Sequence, residues 1–403
     1  MITRNQYIAE LQKLKDINLI KVVTGIRRTG KSTLFRQFQE ELKKSGVKQK
    51  NIISLNLEEM ENEALLDRHI LYNYIMSNVN PKQKNYVFID EIQNVPQFEK
   101  LVDSLFVKDY IDLYITGSNA YFLSSELATL LTGRYIEIQM LPFSFSEFSQ
   151  PYPENKSKYE IFEDYMQYGG FPEASNMLHS TSKDQINNYL SDVFRTIVEK
   201  DIMTRNLIRS KFDFERLTEF MLDSVGSYVS PNSIANTMTS NGNKINKETV
   251  DNYIRNLTDS FILYKAQRYD IKGKKLLQTI NKFYTVDIGI ITAILGRNSS
   301  INRGHLLENV VYLELLRRYK TVFIGKNSEK EVDFIATDIN GEITYYQVAL
   351  TVRDEKALDR ELSALYGIKD FFPKFLITLD PEETVHNGVK QINAVNWLAK
   401  NEN

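Results

Sequence analysis

Over the first 140 residues, short apolar runs alternate with segments whose apolar positions recur every three to four residues. The runs are LIKVVTG (19–25), NIISLNLE (51–58), NYVFIDE (85–91), DLYITGS (112–118) and YIEIQM (135–140). Runs that are apolar on both faces predict buried strands, and their alternation with helical segments predicts a parallel sheet in an α/β domain. Helices are expected at 6–16, from Lys31 to about Lys44, over ALLDRHILYNYIMSNV (64–79), after Pro96, and over YFLSSELATLL (121–131). LPFSFSEFSQPYPENKSK (141–158) breaks the pattern with Pro, Ser and Asn, and the domain is expected to end there.

Residues 159–205 read as helical, with a turn at YGGFPE (168–173). From 212 to 280 the order changes to helix, helix, helix, hairpin, the order of a winged helix-turn-helix. Ser230 can cap the second of these helices and Pro231 can take its first position. From about 300 the chain returns to mixed α/β. The expected organisation is therefore an α/β domain with a parallel sheet at 1–150, a helical connector at 151–210, a winged helix at 211–285 and a further α/β domain at 286–403. There is no internal repeat.

Composition narrows the chemistry. With 403 residues, 42% hydrophobic and 25% charged, the chain is an ordinary folded protein of several domains. A net charge of -2 gives no global field toward nucleic acid or anionic membrane, so any basic surface is local. The absence of cysteine excludes disulfides, thiolate catalysis and Cys-ligated zinc, and four histidines leave little for a histidine metal site. The first residues lack the pattern of a signal peptide, and no apolar run reaches the length of a membrane helix. A cytoplasmic protein with no membrane partner is expected.

GIRRTGKS (25–32) fits G-x-x-x-x-G-K-[ST] between a strand and a helix. In that setting Gly25, Ile26, Arg27, Arg28, Thr29, Gly30, Lys31, Ser32 and Thr33 would wrap the phosphates of ATP with backbone amides and a helix N-terminus. Lys31 reaches the β- and γ-phosphates and Ser32 ligates Mg²⁺. YVFIDE (86–91) supplies Asp90 to hold the metal and Glu91 to orient and deprotonate water. The strand between these two motifs suggests that phosphate-loop strand and acid strand are not adjacent. Asn119, beside Ser118, is then the candidate γ-phosphate sensor, with helix capping as the alternative role. Arg134 is the candidate arginine finger toward a neighbouring subunit, or a structural ion pair. Arg27 and Arg28 read as solvated or subunit-facing.

Taken together, GIRRTGKST, FIDEIQ, TGSNA, LTGR, LPFSFSEF, YGGFPE and EVDFI…YYQVA resemble the prokaryotic AAA+-like ATPases that carry a restriction-endonuclease-like domain at the C-terminus. The resemblance covers nearly the whole chain and implies ATP binding and this architecture more firmly than any biological role.

Two further surfaces carry candidate chemistry. On the winged helix, Lys247, Asn252 and Arg255 lie opposite the apolar stripe Val250, Ile254, Leu257 and Phe261, and the hairpin offers Arg268, Lys272, Lys274 and Lys275 to DNA phosphates. Glu248, Asp251 and Asp259 oppose that reading, and a protein partner is the alternative. In the last domain, Asp333 and the position of Gln347 have the layout of a metal-dependent nuclease core, and Glu308 takes the place of the helical acid of that fold. Gln347 stands where an acid is needed and Ala349 where a lysine is needed, which predicts a catalytically degenerate site. Lys326 and Lys330 are nearby in sequence, and Glu314, Arg317 and Arg318 are expected on a solvated face. The leading reading is an ATPase coupling nucleotide state to DNA or protein binding, in a possible homo-oligomer. The alternatives are an ATP-gated nuclease and a nucleotide-binding module with little turnover.

Overall fold

The computed structural model describes residues 2–120, 131–204, 208, 210–240, 242, 245–296, 302–328 and 330–400. The chain divides into two compact units, residues 1–142 with 259–261, and residues 143–258 with 262–403. The helix expected at 121–131 falls, but for its last residue, outside the described residues.

In the first unit, α1 (Asn5–Leu14) leads into β1 (Ile20–Thr24), α2 (Lys31–Lys44), β2 (Ile52–Asn56), α3 (Arg68–Asn78), β3 (Asn85–Asp90), α4 (Phe98–Phe106), β4 (Ile111–Gly117) and β5 (Tyr135–Gln139). These strands form one parallel sheet in the order β2-β3-β4-β1-β5. β1, β3 and β4 are buried along their whole length, which is why they read as unbroken apolar runs. Successive side chains point to opposite faces. Val22, Ile89 and Ile115 thus pack with Leu71, Ile75, Leu101 and Leu105 on one side of the sheet, while Val23, Phe88 and Tyr114 meet Leu11, Leu34, Phe35 and Phe38 on the other. β4 lies between β1 and β3, so the carboxyl ends of the phosphate-loop strand and the acid strand face each other across it. Such an end of a parallel sheet is where ligands bind in α/β folds.

The second unit contains α5 (Phe145–Phe148), α6 (Lys158–Tyr168), α7 (Pro172–Met177), α8 (Lys183–Ile197), α9 (Lys211–Asp223), β6 (Tyr228–Val229), α10 (Pro231–Ser240), α11 (Lys247–Asp259), β7 (Leu263–Asp270) and β8 (Lys275–Thr285). It continues through α12 (Ile288–Leu295), α13 (Arg303–Arg318), β9 (Thr321–Asn327), β10 (Lys330–Thr337), β11 (Ile343–Val348), α14 (Glu355–Tyr366), β12 (Lys374–Thr378), β13 (Val385–His386), β14 (Val389–Asn393) and α15 (Ala394–Leu398). Its strands join one mixed sheet in the order β13-β14-β12-β11-β10-β9-β7-β8-β6. Ser144, Ser157 and Ser182 open α5, α6 and α8 with reciprocal capping boxes, the Ser-x-x-Glu/Gln signal acting locally.

The glycine pair in YGGFPE has a specific cause. Gly169 ends α6 with φ of 70°, and a Cβ there would lie 1.8 Å from Oδ1 of Asp287. A Cβ on Gly170 would lie 2.3 Å from the carbonyl oxygen of Phe143. One expectation is corrected on α13. Glu314, Arg317 and Arg318 are not on a solvated face but form a buried ion cluster, with Glu314 6% exposed and accepting from Arg317 at 3.2 Å and Arg318 at 2.8 Å. Arg318 also lies over the Trp397 ring at 4.3 Å, so α15, almost 80 residues later, supplies a cover that helical periodicity cannot show.

Candidate active site

β1 delivers the chain into the phosphate loop at Gly25, whose φ is 143°. A Cβ there would sit 2.2 Å from the carbonyl oxygen of Met140, so only glycine fits. The hydroxyl of Thr29 closes the loop on the Ile26 carbonyl at 2.9 Å. Gly30, left-handed at φ 97°, then starts α2 without a side-chain cap, and the first-turn amides of α2 have no partner within the helix. Lys31 is 4% exposed. Its Nζ donates to the Gly25 carbonyl at 2.9 Å and the Ile26 carbonyl at 3.3 Å, and stands 3.5 Å from the Glu91 carboxylate.

The two acids end β3. Burial pushes the Asp90 carboxyl up, and hydrogen bonds from Ser32 and Thr116 oppose that. Glu91 takes the left-handed backbone at φ 55°, which turns its carboxylate toward the loop. Burial works against its charge, but Lys31 and Arg27, with hydrogen bonds from Gln93 and Ser118, hold its pKa below the ordinary value. The Ser118 hydroxyl donates to it at 3.0 Å. Thr116 at the end of β4 serves both acids, for its hydroxyl donates to Asp90 and accepts the Glu91 amide at 2.8 Å. Asn119 is buried two residues past β4.

Arg27 pairs with Glu58 just after β2, Arg28 is exposed, and Thr33 accepts from Arg36 at 3.3 Å. Arg4 was missed by sequence reasoning. It is buried, donates to the carbonyls of Leu141 at 2.6 Å and Thr29 at 3.4 Å, and lies over the Tyr7 ring at 4.9 Å. It therefore ties the start of α1 to the back of the loop, a role that nothing in its local sequence signals. Arg134 is not brought to this site. It precedes β5 at the amino end of the sheet, pairs with Asp103 and lies 5.7 Å over the Phe106 ring.

Residues 18–149 match a family described as an AAA domain, and residues 159–300 match one described as a domain of unknown function. An uncharacterized protein of Haemophilus influenzae is 38% identical over 403 residues, which cover 99% of this chain and 98% of that protein. An uncharacterized protein of Methanocaldococcus jannaschii is 30% identical over 370 residues, covering 88% of this chain and 79% of that one. The chain belongs to one family with these two proteins. Among solved structures, the Walker-type ATPase of Pyrococcus abyssi aligns over 73% of this chain and 96% of its own with a TM-score of 0.52 at 15% identity, a likeness of fold. The first unit is accordingly an AAA domain with the fold of a P-loop ATPase.

The AAA domain implies a nucleotide and usually Mg²⁺, and the residues fit both. A buried ammonium faces the inner surface of the loop, open helix amides lie beside it, and Ser32 is already hydrogen-bonded to Asp90. Hard-cation chemistry calls for this pairing of hydroxyl and carboxylate.

Outside the AAA domain, the other candidates fall in two places. On α11, Lys247, Asn252 and Arg255 are exposed while Val250, Tyr253, Ile254 and Leu257 are buried, and Phe261 is buried just beyond its end. Lys272, Lys274 and Lys275 are exposed in the β7–β8 turn, whereas Arg268 is drawn back onto the Tyr228 ring at 4.8 Å. Glu308, Asp333 and Gln347 do come together, lining one cleft of about 400 Å³. Neither Lys326 nor Lys330 lines it. The lysine found there is Lys282 of β8, 51 residues before Asp333, which sequence reasoning did not single out. Among the described residues no group of three or more His, Cys, Asp or Glu side chains is arranged to hold a metal ion, and no helix is long and apolar enough to cross a membrane.

Proposed function

We propose that the chain is a Mg²⁺-dependent ATPase whose nucleotide state governs the binding of duplex DNA by the second unit. The observation that carries the hydrolytic half is Glu91, buried beside Lys31 and bonded to Ser118 at the carboxyl end of the acid strand. In this reading Lys31 exchanges the Gly25 and Ile26 carbonyls for the β- and γ-phosphates, so the loop needs little rearrangement. Ser32 and Asp90 hold Mg²⁺, which when bound draws charge from the transferring phosphoryl oxygens. Glu91, kept ionised by Lys31 and Arg27, orients the attacking water and takes its proton. Asn119, at the end of β4, acts as the γ-phosphate sensor. Arg134 would act only on the nucleotide of another copy of the chain, because it lies at the far end of its own sheet.

The DNA half rests on the order α9–β6–α10–α11–β7–β8 and on the local strand order β6-β8-β7, which support a winged helix over 211–285. α11 would enter a groove with Lys247, Asn252 and Arg255, and the β7–β8 turn would meet phosphates with its lysines. Residues 286–403 would then form a restriction-endonuclease-like domain that binds without cutting, and 151–210 a helical connector. The test is steady-state ATP hydrolysis with and without duplex DNA at low and moderate salt, with Lys31→Ala as the blank. Hydrolysis abolished in Lys31→Ala, and stimulation by DNA that weakens with salt, is expected. Hydrolysis indifferent to DNA would sink the DNA half and shift the reading to a protein partner.

A further inference from the structure

A nuclease-like arrangement of Glu308, Asp333 and Gln347 calls for a divalent cation between its oxygens, and the residues present do not fit one. Lys282 is 6% exposed. Its Nζ lies 2.9 Å from Oε1 of Glu308 and 2.6 Å from Oε1 of Glu331. Two residues on, and hence on the same face of β8, the Tyr284 hydroxyl donates to the same Glu308 oxygen at 2.5 Å. Asp333 accepts the Val348 amide at 2.8 Å. Gln347 is used at both ends, its Oε1 accepting the Asp333 amide at 3.3 Å and its Nε2 donating to Glu361 at 2.8 Å.

We infer that the Lys282 ammonium is the resident cation of this cleft, standing in place of a divalent metal, and that the cleft neither binds such a metal nor cleaves phosphodiesters. An ammonium is a compact point charge with three donors, and Glu308 and Glu331 are close enough to take two of them. Burial works against the charge on Lys282, and its close contacts with Glu308 and Glu331 offset that cost. A divalent ion would have to expel a buried lysine and rely on Glu308, an Asp333 already accepting the Val348 amide, and the neutral amide of Gln347. Lys282, Glu308 and Glu331 instead tie β8, α13 and β10 together. This inference rests on the second unit alone and is independent of the ATPase reading.

The test is Mn²⁺ binding to the full-length, nucleotide-free chain, read by electron paramagnetic resonance and by thermal unfolding. Wild type and Asp333→Asn should bind Mn²⁺ alike, because the only site they share is in the AAA domain. Lys282→Met should melt lower than wild type without metal and should gain a rise in melting temperature with Mn²⁺ that the double variant with Asp333→Asn lacks. A folded Lys282→Met that gains no Mn²⁺ response would overturn the inference. If Lys282→Met does not fold, wild type decides. Mn²⁺ binding lost in Asp333→Asn, or Mn²⁺-dependent cleavage of duplex DNA by wild type that Asp333→Asn abolishes, would show a working metal site and overturn it. Equal binding by the two proteins with no cleavage supports it.

Discussion

Thr116 shows how residues one motif apart become one device. Its single hydroxyl fixes the Asp90 carboxylate and satisfies the Glu91 amide, so the strained turn between the two acids is held from the neighbouring strand. Glu91→Gln should retain ATP binding while hydrolysis falls by about 10²- to 10⁴-fold, the usual worth of a general base. Equal loss of binding and turnover would mean that Glu91 serves the loop rather than the water. Thr116→Val keeps the shape but leaves the Glu91 amide buried without its partner, a loss of about 1–3 kcal/mol. Hydrolysis should fall with it and return in Thr116→Ser. The phosphate loop and the acid pair were legible because each motif is contiguous and its residue types are dictated by the ligand. Thr116, Arg4 and Lys282 were not, because each acts across the fold. Thr116 is set by strand order, Arg4 by how α1 docks, and Lys282 by a sheet that brings β8 beside α13.

At the scale of elements, strands buried on both faces announced themselves as apolar runs, whereas the Ser-x-x-Glu/Gln helix starts at Ser144, Ser157 and Ser182 were not singled out. What stayed hidden was the continuation of one sheet through β7 and β9. Arg268 pairs with Ile324 in parallel register across more than 50 residues, a contact with no local signature. The turn between β7 and β8 was legible as basic, and its form explains why its lysines are presented. Asp270 accepts the Gly273 amide at 2.9 Å and Lys274 takes the left-handed backbone at φ 48°, which closes the turn and leaves Lys274 and Lys275 outside. Lys272 is in part retained, donating to Ser328 at 2.6 Å. Replacing Lys272, Lys274 and Lys275 by Gln should therefore weaken duplex DNA binding and flatten its log–log salt dependence by about 2, since each phosphate contact contributes about 0.9. Binding titrations at several salt concentrations measure this, and an unchanged slope would remove the turn from the interface.

At the scale of the molecule, one buried carboxylate ties together parts of the second unit that are far apart in the chain. Asp287 accepts the Gly170 amide at 2.6 Å and the Gly289 amide at 2.8 Å, so it holds the YGGFPE turn and the start of α12 in one place. Burial pushes its carboxyl up to about 7, against the opposing pull of the Gly170, Gly289 and Ile290 amides and of Arg317. An unfolded Asp titrates near 3.9. The folded chain therefore holds this proton more tightly than the unfolded chain. Its contribution to stability is complete below about pH 4 and is lost as pH rises through 7. Asp287→Asn cannot titrate, and with one oxygen in place of two it gives up one amide partner at every pH. That constant loss sets an offset between the two proteins, whereas the proton sets a slope. Denaturant unfolding of both chains at pH 5 and pH 8 separates them. The advantage of wild type over Asp287→Asn should shrink by about 2.5 kcal/mol between the two pH values. A gap that stays constant would mean that the two backbone amides keep Asp287 ionised in the folded chain, and that it acts there as a charged anchor rather than a proton-bound one.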